Sequence, residues 1–156
     1  MSRYALVFAL LISTAACGQQ EAPEMTDQDA AATAMGDLRS PSAADARIFF
    51  ANLENGDTVS SPFNVEFGLE GMDVVPAGTE QEYSGHHHLI IDQDELPALD
   101  MPIPADSLHV HFGKGQTSTE LALSPGQHTL QIVLGNHLHI PHDPPVVSEK
   151  ITITVE

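Results

Sequence analysis

The sequence predicts an all-β domain of two packed sheets, and three observations predict it. Apolar and polar residues alternate with period two at several places between residues 47 and 156. Turn-forming residues fall between those stretches. No segment carries apolar residues at a sustained helical spacing. In chain order, residues 47–51 form the first candidate strand. Phe63, Val65, Phe67 and Leu69 then alternate with Asn64, Glu66, Gly68 and Glu70, and residues 86–91 follow. Leu108, Val110 and Phe112 alternate with Ser107, His109 and His111, and residues 118–123 come next. Leu130, Ile132 and Leu134 alternate with Thr129, Gln131 and Val133. Ile151, Ile153 and Val155 alternate with Thr152 and Thr154. Asn55-Gly56-Asp57, Gly113-Lys114-Gly115, Ser124-Pro125-Gly126 and residues 141–145 supply the turns. About seven short strands in this length point to an immunoglobulin-like two-sheet sandwich. A small barrel is the alternative.

The chain has 156 residues, enough for one such domain. Ahead of it, Arg3 is followed by a short apolar run, Tyr4 to Ile12, and by Ser13-Thr14-Ala15-Ala16 before Cys17, the sole cysteine. This run is too short to span a bilayer. Small residues before a cysteine resemble a bacterial lipoprotein signal, with Thr14 where that pattern usually has Leu. The resemblance implies cleavage after residue 16, lipidation of Cys17 and a place at the periplasmic face of the envelope. Gly18 after the cysteine is similar to outer-membrane sorting. An ordinary secretory signal is the alternative. Residues 17–46 read as a flexible acidic linker, because they hold too little apolar surface to offset their conformational entropy. As a coil the tether reaches roughly 30 Å. The domain then spans residues 47–156. One cysteine allows no intrachain disulfide.

Twenty-two acidic residues against five Lys and Arg give a formal charge of −17. That excludes nucleic-acid binding through a basic patch, which needs cations to displace counterions. It also opposes electrostatic docking on anionic lipid, leaving a lipid anchor as the expected route to the membrane.

The nine histidines all lie between His86 and His142. Three His-x-His pairs occur: His86/His88, His109/His111 and His137/His139. In a strand, residues i and i+2 share a face, so each pair sets two imidazoles side by side. With Leu89, Ile91, Leu108, Val110, Phe112, Leu138 and Ile140 facing the core, all six face away from it. His142 follows on a proline-rich loop. Imidazole suits Cu and Zn, and a site takes three or four ligands. The expected metal ligands are therefore drawn from His86, His88, His109, His111, His137, His139 and His142. Asp106 and Asp143 are expected to fix imidazole tautomers from behind. His87 and His128 share parity with core residues and read as buried, hydrogen-bonded and structural.

Three functions remain open on these residues. The first is a Cu- or Zn-binding chaperone, buffer or sensor. The second is a non-metal module whose histidine surface binds another envelope protein or a glycan, responding to pH as imidazole titrates near 6.5. The third is a metalloenzyme, which needs an open coordination position. The Gly113–Thr117 loop lacks P-loop spacing and a following helix. Asp92-Gln93-Asp94 lacks the Gly and Glu of a calcium loop. No nucleophile sits in a triad context.

Several motifs carry a family resemblance. Gly85-His86-His87-His88-Leu89-Ile90-Ile91-Asp92 is followed by His111-Phe112-Gly113-Lys114-Gly115-Gln116-Thr117. Leu134-Gly135-Asn136-His137-Leu138-His139-Ile140-Pro141-His142-Asp143-Pro144-Pro145 comes last. Together they resemble the bacterial family called domain of unknown function 4399, over about residues 47–156. The resemblance implies an envelope-located, His-rich β domain and supplies no activity. Residues 55–62 and 125–130 are similar to segments of bacterial immunoglobulin-like domains. Leu108-His109-Val110-His111-Phe112-Gly113 resembles the copper-binding strand of copper–zinc superoxide dismutases, but their disulfide is impossible here. Cupins also open a metal motif with His-x-His, but no Glu follows His111 at their spacing.

Overall fold

The computed structural model describes residues 38–156. The expected signal segment, Cys17 and the linker up to residue 37 lie outside the described residues. Nine strands follow: β1 (Arg47–Phe50), β2 (Thr58–Val59), β3 (Phe63–Glu70), β4 (Asp73–Val74), β5 (Ser84–Ile91), β6 (His109–His111), β7 (Ser118–Leu121), β8 (Gly126–Gly135) and β9 (Ile151–Val155). Seven correspond to the alternating segments. β2 and β4 are two-residue pairings, too short for alternation to reveal.

The strands form two sheets. One runs β1-β3-β7; the other runs β2-β9-β8-β5-β4, with β6 also paired to β5. Alternation explains the packing. β3 buries Phe63, Val65 and Phe67 and exposes Asn64 and Glu66. Antiparallel register sets His87 opposite Leu134, Leu89 opposite Ile132 and Ile91 opposite Leu130, so the inward sets of β5 and β8 coincide. These residues meet Ile48, Phe63, Val65 and Phe67 of the smaller sheet and Ile151, Ile153 and Val155 of β9 in one core. Leu89, Leu130, Ile132 and Leu134 are wholly buried, each contributing about 1.5–3 kcal/mol by leaving water. Truncating Leu89 to Ala costs about 2–5 kcal/mol.

The second face of the larger sheet is covered too. Ile90 and Val133 point away from the main core, and Ile103, Leu96 and Val147 pack over them. All eight residues of β5 are consequently buried. This corrects the expectation of a solvent-facing histidine surface: His86 and His88 sit on the outer face of the sheet but are buried. Residues 38–46, placed in the expected linker, lie against the domain. The Ser42 amide donates to the Asp143 carbonyl, and the Asp143 amide donates to the Ser40 carbonyl.

Candidate metal centre

Register decides which histidines meet. Residues directly opposite in an antiparallel pair share a face. His88 lies opposite His111 of β6 and Val133 of β8, while His86 lies opposite Gly135. The rings of His88 and His111 are consequently stacked 5.0 Å apart. Gly135 leaves the space beside His86 empty of side chain; a Cβ there would lie 2.9 Å from His88 Nε2. Into that space reaches His139, from the turn that follows β8.

That turn is built around Asn136. Its Oδ1 accepts from the Leu138 and Ile140 amides. Its own amide donates to the Ile140 carbonyl, and the His139 amide donates back to the Asn136 carbonyl. His139 takes a left-handed backbone, φ 65°, a region that histidine visits more readily than most residues. The expectation that His137 and His139 form a strand pair is thereby corrected. On a turn, i and i+2 do not share a face, and His139 joins the cluster without His137.

The result is a group of four imidazoles: His86, His88, His111 and His139. One ring nitrogen from each lies within 4.8 Å of all the others. His86 Nε2 is 3.0 Å from His139 Nδ1 and 3.0 Å from His88 Nε2. His111 Nε2 is buried with no hydrogen-bond partner, as are the Nδ1 atoms of His86 and His88. His86 and His88 are wholly buried, and His111 and His139 form the partly exposed side. Gly113 gives His111 its place, since a Cβ there would lie 2.4 Å from the ring.

Electrostatics favour the neutral form at His86, His88 and His139. Burial, reinforced by the neighbouring imidazoles, lowers His86 to about 3 and His88 to about 2. Burial and then His111 also lower His139. Neutral imidazoles are the form that binds a cation. An imidazole nitrogen carries either one N–H or one lone pair. His86 Nε2 therefore cannot complete good hydrogen bonds to both of its close nitrogen neighbours at once.

The remaining expected ligands lie elsewhere, each for a stated reason. His109 shares the face of His111 but stands opposite Ile90, one strand repeat away, and bonds Asp106 Oδ1 at 2.9 Å. Asp106 thus orients His109 and not a cluster ring. His142 is buried with Nε2 at 3.0 Å from the Ser84 carbonyl and Nδ1 at 3.3 Å from the Leu134 carbonyl. Both its nitrogens face backbone carbonyls, and the one N–H of the neutral ring donates to one of them. Asp143 faces Arg39 at 3.3 Å, not a histidine. His87 is buried against Phe67 on the core side and bonds the Gln116 carbonyl, as parity predicts. His128 is held between Asp92 Oδ2 and the Ser124 carbonyl, a hydrogen-bonded structural role, with 11% of its side chain exposed.

Sequence reasoning gave Gly135, Gly113, Asn136 and Arg39 no role in the site. Gly135-Asn136 carried a usable signal: glycine at a strand end marks close approach, and asparagine after it marks a turn.

The fold and its centre define a β-sandwich domain with a clustered, all-imidazole donor set. The chain belongs to the family described as Domain of unknown function (DUF4399), whose profile matches residues 65–156. No curated protein and no solved structure matches the chain. The matched region contains all four cluster histidines and excludes residues 38–64.

Proposed function

We propose that this domain binds a transition metal, Cu or Zn, through His86, His88, His111 and His139, and serves as a chaperone, buffer or sensor in the bacterial envelope. The observation that carries the reading is the convergence of four nitrogens from two strands and a turn. His111 Nε2 is buried without a partner, and His86 Nε2 faces two other ring nitrogens at once. A native interior rarely leaves such a polar atom unpaired unless it serves a purpose. A cation accepts lone pairs that the imidazoles cannot give to one another. His86 and His88 are held neutral, so their lone pairs are free for a cation.

The distances favour copper. Two bonds of 2.0–2.1 Å to nitrogens 3.0 Å apart subtend about 95°. That lies nearer the right angle of tetragonal Cu(II) than the tetrahedral angle of Zn(II), and copper also leads the affinity order. The widest separation, up to 4.8 Å, must close by about 0.6 Å for one ion to hold all four. Lipidation at Cys17 would place the centre at the membrane surface, and the acidic chain would gather cations around it.

The test is metal content by mass spectrometry and titration calorimetry with Cu²⁺ and Zn²⁺, on the full chain without a polyhistidine tag. One equivalent of metal at submicromolar affinity, with copper tighter, is expected. Absence of bound metal with only weak binding at several sites overturns the reading. It would turn attention to envelope proteins that recognise the histidine cluster.

A further inference from the structure

Three of the four cluster histidines ride on strands, where backbone ladders fix them. His139 alone rides on a turn, with a left-handed backbone. Its position therefore depends on what holds residues 136–143, and much of that hold comes from a segment about 100 residues earlier. Asn136 Nδ2 donates to the Leu38 carbonyl at 2.8 Å and to Ser40 Oγ at 3.2 Å. Arg39 Nε donates to the Pro141 carbonyl at 3.2 Å, and Arg39 Nη2 donates to the His142 carbonyl. Arg39 Nη1 faces Asp143 Oδ1 at 3.3 Å. Pro41 pairs with Asp143 as a parallel bridge. From the other side, the turn is held by the Ile103 amide on the His139 carbonyl and by the His142 ring on the Ser84 carbonyl.

We propose that residues 38–43 are a strap belonging to the metal centre, and that Arg39 is a positioning residue holding His139 over the other three imidazoles. The proposal rests on the metal-binding reading of the same site. The chemistry suits arginine in particular. Its side chain is 15% exposed and reaches two successive carbonyls and a carboxylate at once. A planar fork of five donors can do this, and the single ammonium of lysine cannot. Without Arg39 the turn loses its outer clamp and His139 swings out. His86, His88 and His111 then remain as a three-imidazole site, weaker and open on the side His139 closed.

The test compares Arg39→Ala, Arg39→Lys, His139→Ala and the Arg39→Ala/His139→Ala pair in the full chain. Arg47→Ala serves as the control, because the Arg47–Glu70 ion pair is exposed. Arg39→Ala should weaken Cu²⁺ binding about 10–100-fold, the range for groups that orient ligands. Arg39→Lys should recover part of the loss. The Cu²⁺ electron paramagnetic resonance spectrum of Arg39→Ala should match that of His139→Ala, with one imidazole fewer than the parent. In the His139→Ala background, Arg39→Ala should cost nothing more. Unchanged affinity in Arg39→Ala, or a loss that adds fully to that of His139→Ala, overturns the strap. If the parent chain binds no metal, the metal reading fails by itself, and amide exchange on the metal-free protein decides the strap. Faster exchange at Leu138 and Ile140 in Arg39→Ala supports it, and unaltered protection there rejects it.

Discussion

Acidification should unfold the metal-free domain, because its buried histidines are held neutral. Burial, with help from like-charged neighbours, lowers His86 to about 3 and His88 to about 2, and burial lowers His87 to about 4, from an ordinary 6.5. Each is a base whose folded pKa lies below its unfolded one. Between pH 6.5 and those lower values the unfolded chain holds more protons than the folded one. Stability is therefore complete above about pH 6.5 and declines as the pH falls. The decline is about 1.4 kcal/mol per pH unit for each histidine. From pH 6.5 to 5, His87 and His88 each remove about 2 kcal/mol, and His86 brings the total to as much as about 6. His86 adds least independently, since part of its depression comes from rings in the same cluster. Domains of this kind are stable by about 5–15 kcal/mol, so the loss is a large fraction of the whole. The assay is urea unfolding of the metal-free full chain, followed by circular dichroism from pH 8 to 4.5. Its slope against pH should report an uptake of at least two to three protons near pH 5, since burial lowers His139 and His142 as well. His87→Phe, whose ring can pack against Phe67, should lower that number by about one. A flat stability between pH 7.5 and 5 would refute the reasoning.

Three further outcomes follow from the same geometry. Gly135→Ala removes no ligand, yet its Cβ would lie 2.9 Å from His88 Nε2; metal affinity should drop about 10–100-fold with the fold intact by circular dichroism, and an unaltered Kd would dismiss the site. His111→Ala should abolish tight metal binding while His109→Ala leaves it in place, so calorimetry on the two single variants separates neighbours that sequence spacing treats alike. The hydrogen bond that His128 donates to Asp92 raises the histidine's pKa; its folded pKa lies above the unfolded one, so its stabilisation is whole below about pH 6.5 and fades as the pH rises through the folded value. His128→Asn should therefore cost about 1–3 kcal/mol at pH 6 and less at pH 8.5 in urea melts, and a cost that grows with pH contradicts the assignment.

Much of the fold was legible in the sequence because strands with one buried face write their period into it. The alternation in Phe63–Leu69 and Ile151–Val155 located β3 and β9 and named their inward residues. Parity also placed His86 and His88 on one face and His87 on the other. What the sequence could not express was cross-strand register and cover. Nothing in Leu108–Phe112 says that His111 and not His109 stands opposite His88, because pairing is settled by contacts between segments far apart in the chain. Nothing in His86–Ile91 says that loops roof the outer face. His137/His139 misled for a different reason: Asn136 captures two amides and bends the chain, so the period-two rule has no strand to act on.

Under the proposed metal-binding function, the neutrality of His86 and His88 bears on how a bound ion would leave. In many metal sites, acid works ligand by ligand, protonating a thiolate or an exposed imidazole and loosening the ion in stages. Here two of the four donors resist protonation to values well below those at which the fold itself is strained. Within the folded domain, loading would exchange no proton at His86 or His88. At these two donors, acid would then free the ion only as the sandwich opens. A bound ion would in turn delay that opening by its own affinity.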